Sequence, residues 1–172
     1  MRYLELRRHT DNDGDRLSAQ GETDAEAIGR EDLHPPYAAF VSSGAGRATQ
    51  MLEILRRAAG QDDVPVTVEP GLRSTVEDRW REAAKMAGPG ATVEDMRGVD
   101  ADLVDHESRL LSWVLKRVVT GLPDGGRALV VGHSPTNEAA VLGLAGKVVS
   151  PLAKGEGLLV VEDGGRYQIQ PL

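Results

Sequence analysis

Four consecutive apolar residues, Ala128-Leu129-Val130-Val131, constrain the fold more than any other stretch of this sequence. A run without polar alternation predicts a strand buried on both faces. Such a strand belongs to a sheet with a helical layer on each side. The rest of the pattern supplies those layers. Tyr3 to Arg8 reads as a strand, followed by the polar loop Asp11-Asn12-Asp13-Gly14-Asp15 and a helix capped by Ser18 and running to about Gly29. Tyr37 to Val41 is a second strand. Ala48, Met51, Leu52, Leu55 and Ala59 then fall on one helical face. Val64 to Val68 alternates as a strand, and Val76, Trp80, Ala83, Ala84 and Ala87 mark another helix, which Gly88-Pro89-Gly90 breaks.

After a loop, Leu103 to Val119 is a long helix with Leu103, Leu110, Leu111, Val114 and Val118 on one side. Ser134-Pro135 has the form of an N-cap followed by proline at the first helical position. Gly157 to Glu162 and Tyr167 to Gln170 close the chain as strands, paired through Asp163-Gly164-Gly165. The expected fold is α/β, a three-layer α/β/α sandwich on a mostly parallel sheet. It forms one domain over residues 1–172, with a short cap-like segment around 70–105.

Composition narrows the partners. Lys plus Arg number 20 and Asp plus Glu 27, giving a net charge of −7, and aromatic residues are 3%. Neutralising a phosphate backbone takes a basic surface and stacking bases takes rings, so neither a nucleic acid nor an anionic membrane is an expected partner. With no cysteine, thiolate metal sites, disulfides and cysteine nucleophiles are excluded. The chain lacks a membrane-length apolar run and begins without the apolar core of a signal peptide. It is expected to be soluble and cytoplasmic. Oligomeric state is not legible here.

On a parallel sheet, ligands sit at the carboxyl ends of the strands. That rule selects Arg8-His9, Ser42 to Arg47, and His133-Ser134. Arg8 and Arg47 offer forked, permanent charges to phosphate oxygens. The helix beginning at Pro135 adds its positive end. A neutral imidazole at one of the two strand ends can attack phosphorus. The other, protonated, can steady the charge of the transferring group.

These segments resemble the histidine phosphatase superfamily, the phosphoglycerate-mutase-like proteins. Leu6-Arg7-Arg8-His9-Thr10 is similar to its Arg-His-Gly motif. Leu17-Ser18-Ala19-Gln20-Gly21-Glu22 is similar to its Leu-Thr-x-x-Gly helix start. Val41-Ser42-Ser43-Gly44-Ala45-Gly46-Arg47-Ala48-Thr49-Gln50 is similar to its Ser-Ser-x-x-x-Arg-Ala-x-Gln-Thr segment, and Val130-Val131-Gly132-His133-Ser134-Pro135 to its second-histidine motif. The resemblance covers about residues 1–55 and 125–146, in the same order.

It implies a phosphatase acting on a small phosphomonoester or a phosphohistidine protein, with His9 as nucleophile. Arg8, Arg47 and His133 would form the phosphate pocket, with Ser134 as a further substrate contact. No metal or organic cofactor is implied. The segment between Glu69 and Ala128 is short for a cap holding a second phosphate, which disfavours a mutase. Two departures stand out. Thr10 replaces the glycine after the nucleophile, and Ser74 stands where the general acid is expected. Glu77 and Asp78 are the nearest carboxylates, with Glu77 the preferred candidate for the acid, and the missing usual acid favours phosphohistidine as substrate.

Other readings start from the same residues. The two departures suit a catalytically inactive phosphate-binding protein of the same fold. Gly44-Ala45-Gly46, with Glu69 further on, partly matches the fingerprint of a nucleotide-binding oxidoreductase. Asp11, Asp13, Asp15 and Glu22 have calcium-loop spacing, but Arg16 occupies the turn position that needs glycine and a strand precedes the loop instead of a helix. His106, on the long helix, is a candidate to line the pocket. Glu5 and Arg7, charged on a strand otherwise apolar, are expected either to leave one face poorly covered or to pair.

Overall fold

A computed structural model describes all of residues 1–172. Six strands form the central sheet: β1 (Arg2–Arg8), β4 (Ala39–Ser42), β5 (Val66–Val68), β6 (Arg127–Gly132), β7 (Gly157–Asp163) and β8 (Arg166–Pro171). Two short strands, β2 (Asn12–Asp13) and β3 (Arg16–Leu17), pair with each other inside the acidic loop. The sheet order is β5-β4-β6-β1-β7-β8. The first four are mutually parallel, and β7 and β8 are antiparallel additions at one edge. Helices α1 (Ala19–Glu31) and α2 (Gly46–Ala58) belong to one side of the sheet. Helices α3 (Glu77–Ala87), α4 (Val93–Val99), α5 (Ala101–Thr120) and α6 (Thr136–Ala145) belong to the other.

The apolar run that opens the sequence reading is fully buried and splits by residue parity. Ala128 and Val130 join the core under α5 and α6, with Leu103, Val104, Leu111 and Leu115. Leu129 and Val131 join the core under α2, with Met51, Leu52 and Leu55. β1 follows the same alternation with different chemistry. Leu4 and Leu6 enter the larger core, whereas Glu5 and Arg7 are buried on the opposite face.

Neither of the two strand charges leaves its face open, and they do not bond to one another. Glu5 accepts from Arg127 Nη1 at 2.9 Å and from the Tyr37 hydroxyl at 3.0 Å, with His34 Nδ1 at 3.2 Å. Arg7 donates to the carbonyls of Asp32 and Gly155. Asp32 ends α1, so the guanidinium meets the negative end of that helix.

Three sequence readings change. A short helix, α4, fills part of the expected loop after Gly90. A capping box between Thr92 and Asp95 starts it, but its seven residues are too few to show periodicity. The inward stripe of α5 runs through Leu103, Val104, Glu107, Ser108, Leu111 and Leu115, leaving Leu110 exposed. Ser134 does not cap α6. That helix begins at Thr136 after Pro135, with no side-chain cap, because the Ser134 hydroxyl is committed to Glu138 at 2.5 Å. No helix is long and apolar enough to cross a membrane.

Candidate active site

The carboxyl ends of β1, β4 and β6 meet at one edge of the sheet, and the side chains that follow them converge. The imidazoles of His9 and His133 lie 5.3 Å apart, ring centre to ring centre, at 65°. Arg47, in the first turn of α2, touches both. Its Nε–H points to His9 Nε2 at 3.2 Å and its Nη2 to His133 Nδ1 at 3.4 Å.

Because a guanidinium only donates, these contacts fix both tautomers. His9 keeps its proton on Nδ1, donated to the Thr10 carbonyl at 2.8 Å, and presents the Nε2 lone pair. His133 keeps its proton on Nε2, bonded to Ser43 Oγ at 2.7 Å. Burial, followed by the nearby charge of Arg47, pushes the His9 imidazole down to about 4 and that of His133 to about 3. For His9 the Thr10 carbonyl opposes this and the charges of Arg8 and Lys154 add to it. Both rings are neutral in the free site. The protonated second imidazole expected from sequence is therefore not the form that this site holds.

Local chemistry places these groups. Gly44 turns the chain out of β4 with φ +92°, and its N–H donates to Ser42 Oγ. Gly21 meets the acidic loop so closely that a Cβ would stand 1.9 Å from the Asp11 carbonyl oxygen. Thr10 takes a negative φ, and its hydroxyl donates to the Gly21 carbonyl at 2.7 Å. A side chain that glycine lacks thus ties the loop after His9 to α1.

The cleft over the two histidines holds about 280 Å³. His9, Arg47, His133, Ser134, Pro135 and Thr136 wall it from the sheet edge. Arg73, Ser74, Glu77, Trp80, Arg81 and Ala84 wall it from the segment leading into α3. Of the residues expected from sequence, His9, Arg47, His133, Ser134 and Glu77 are brought together.

Arg8 is not among the wall residues. It shares the β1 face of Leu4 and Leu6, which carries it toward α6, and its Nη1 donates to the Leu152 carbonyl at 2.7 Å. Its charge still reaches His9. Glu77 accepts from Arg73 Nε at 2.7 Å, so the rim carboxylate is already engaged. His106 points to solvent.

Two residues to which the sequence reading gave no part in this site complete it. Ser43 orients His133. Asp15, from the acidic loop, accepts from Arg47 Nη1 at 2.9 Å and from the Gly46 N–H at 3.1 Å. Its carboxyl is pushed up by burial, but the N–H groups of Gly46 and Arg47 and the guanidinium charge outweigh that, leaving it below the usual value. Asp15 therefore fills the N-terminus of α2, where the oxidoreductase reading would put a pyrophosphate. Asp11 turns to Ser18 and Lys154, away from Asp15, so the loop's carboxylates do not gather around a common point.

No protein-family model matches this sequence, and no curated protein matches it. Solved structures do match. A phosphoglycerate mutase from Bacillus anthracis str. Sterne superposes with a TM-score of 0.69 at 16% identity, over 99% of this chain and 92% of that one. The mycobacterial glucosyl-3-phosphoglycerate phosphatase Rv2419c, in complex with VO3, gives 0.69 at 19% identity over 99% and 98%. The alpha-ribazole phosphatase from Shigella flexneri gives 0.67 at 14% identity over 99% and 95%. The fold of this chain is that of the phosphoglycerate-mutase-like histidine phosphatases.

Proposed function

We propose that this chain is a phosphatase that hydrolyses phosphomonoesters through a phosphohistidine at His9. The observation that carries the reading is the single guanidinium of Arg47 bonded to two neutral imidazoles at the sheet edge. In the free site the Arg47 N–H groups rest on ring nitrogens, which are weak acceptors beside a phosphoryl dianion. A substrate phosphate takes those N–H groups in a two-point fork, which frees the His9 Nε2 lone pair for attack. The Nδ1–H bond to Thr10 holds the ring in the attacking tautomer and supports the positive charge that it gains. The dianion raises the proton affinity of His133, so that ring becomes the cation that steadies the transferring group. Arg8 adds positive charge beside His9. Water then attacks the phosphohistidine and releases phosphate.

This chemistry draws only on side chains of the chain itself. That solved structures of the same fold are named for phosphate-ester hydrolysis supports it. The reading includes Glu77 and Ser134 as rim contacts for the rest of the substrate, and places the protein among soluble enzymes of the cytoplasm.

Rapid quench with a labelled aryl phosphate, followed by mass spectrometry, tests the proposal. An acid-labile, base-stable phosphate on His9, absent in His9→Ala, is the expected result. An adduct on a serine or aspartate, or unchanged turnover in His9→Ala, overturns it.

A further inference from the structure

A second cavity, of about 720 Å³, opens between α1, the segment joining α6 to β7, and the end of β8. It shares no wall residue with the cleft over the histidines. That volume suits a small organic molecule. Arg7 belongs to its wall and is 4% exposed. No carboxylate lies within ion-pair distance of this guanidinium. Its partners are two carbonyls, those of Gly155 at 3.3 Å and Asp32 at 3.2 Å, and its Nε–H has none. Each Nη nitrogen spends one N–H on those carbonyls and keeps another. Glu5, on the same face of β1, is already committed to Arg127. A buried cation without an anion is costly, and neutral carbonyls replace only part of its lost hydration.

The other charges of the wall decide what anion fits. Lys147 is bonded to the Ile169 carbonyl, and Lys154 to Asp11 and Asn12. Asp24, Asp32 and Glu156 also belong to the wall, and all three are more exposed than Arg7. Asp24 accepts from Gln20, and Glu156 from the Ala153 N–H. A single negative charge is compensated by Arg7. The second charge of a phosphate dianion would instead be repelled by the wall carboxylates. A carboxylate has the single charge, and its two oxygens match the planar guanidinium. Much of the remaining wall is apolar, with Ala27, Ile28, Val149, Pro151 and Leu152. An aliphatic chain gains free energy by leaving water against such side chains.

We infer that this cavity binds a small aliphatic carboxylate, its head on Arg7 and its chain against the apolar wall, and that its occupancy is felt at His9. The link to His9 runs through the backbone. Gly155, whose carbonyl holds Arg7 Nη1, gives its N–H to the carbonyls of Arg8 and His9, each at 3.2 Å. Thr10, a wall residue, accepts the Nδ1–H of His9 on its own carbonyl. A carboxylate that takes N–H groups of Arg7 competes with the Gly155 carbonyl, and so acts on the segment that holds the His9 backbone. Neither clause needs the cleft to be catalytic.

The test is calorimetric titration of hexanoate into wild type, Arg7→Gln, Ala27→Trp and Arg47→Ala, with the His9 imidazole signal followed by NMR and identified by its loss in His9→Asn. Wild type should bind hexanoate in the millimolar range and show no binding of hexylammonium. Arg7→Gln removes the charge, and Ala27→Trp fills the cavity from α1. Each should weaken binding about tenfold or more, the size of a charge-assisted hydrogen bond or of a buried chain. Arg47→Ala, which removes the guanidinium of the cleft, should leave affinity within about twofold. The His9 signal should move with the midpoint of binding in wild type.

Absent binding in wild type, equal binding of hexylammonium, or undiminished binding in Arg7→Gln overturns the inference and leaves Arg7 as a tie between α1 and the segment before β7. Loss of binding in Arg47→Ala puts the ligand in the cleft and overturns it as well. A His9 signal that stays fixed while the cavity fills refutes the link to His9. If Arg7→Gln does not fold, Ala27→Trp decides, because it blocks the cavity with Arg7 in place. All of these results leave the phosphatase reading untouched.

Discussion

The neutrality of the two site histidines makes stability depend on pH between the unfolded histidine value and the folded ones. An unfolded histidine titrates near 6.5, whereas His9 and His133 in the folded chain sit at about 4 and about 3. A base whose folded pKa is depressed binds fewer protons folded than unfolded. The stability it supports is therefore complete above 6.5 and drains away as pH falls toward the folded value. At ~pH 5 the unfolded rings are protonated and the buried ones are not, about 1.5 pH units of imbalance, or about 2 kcal/mol per ring at 1.36 kcal/mol per unit. The pair together accounts for about 4 kcal/mol, against a typical total of roughly 5–15.

The other shifted groups leave the comparison between variants unaffected. Asp11, Asp15 and Asp100 are held below the usual carboxylate value, so their contributions are lost only in stronger acid. Glu138, raised by burial, has the opposite sign and gains stability as pH falls, but it is common to every variant compared. The assay is urea unfolding followed by circular dichroism at ~pH 8 and ~pH 5, for wild type, His9→Asn, His133→Asn and the double variant. Wild type should lose about 4 kcal/mol more than the double variant between the two conditions, with each single variant about half-way. Equal losses in wild type and the double variant would mean that the rings protonate freely in the fold. The case for a neutral, lone-pair-bearing His9 would then fail.

Arg47→Lys should lower kcat/KM by on the order of 100-fold, because an ammonium cannot fork across two phosphate oxygens or reach both imidazoles; steady-state kinetics with an aryl phosphate measures it. Asp15→Asn should tighten inorganic phosphate binding about two- to fivefold at low salt, the size of an exposed ion pair, by removing the carboxylate that competes for Arg47 Nη1 and the Gly46 N–H. Calorimetric titration checks this, and the gain should shrink as salt screens the pair.

How far the sequence reveals this site follows from the range of the interactions involved. Ala128 to Val131 is legible because burial on both faces leaves no polar residue in the run, and the observed strand splits the four side chains between two cores. Ser18 is legible because its bond to the Gly21 N–H is local, three residues along the same turn. His9, Arg47 and His133 are legible for a different reason. Each sits just past the end of a parallel strand, and parallel strands deliver their carboxyl ends to one edge whatever else the chain does.

Arg8 and Glu107 mark where such reasoning stops. Arg8 adjoins His9 in sequence, but alternation along β1 turns neighbours to opposite faces, and Arg8 goes with Leu4 and Leu6. Proximity in the chain therefore gives His9 the charge of Arg8 but not its N–H groups. Glu107 carried a readable signal that favoured the wrong neighbour. Read by chemistry alone, His106 is the more reactive side chain on the long helix. Read by periodicity, Glu107 lies four residues from both Leu103 and Leu111, so it must face wherever they face. A charged residue inside an apolar stripe is either an error of the helix phase or a buried group with a partner. Only the fold can name that partner, because Ser74 lies 33 residues earlier and meets Glu107 across the layer between α3 and α5.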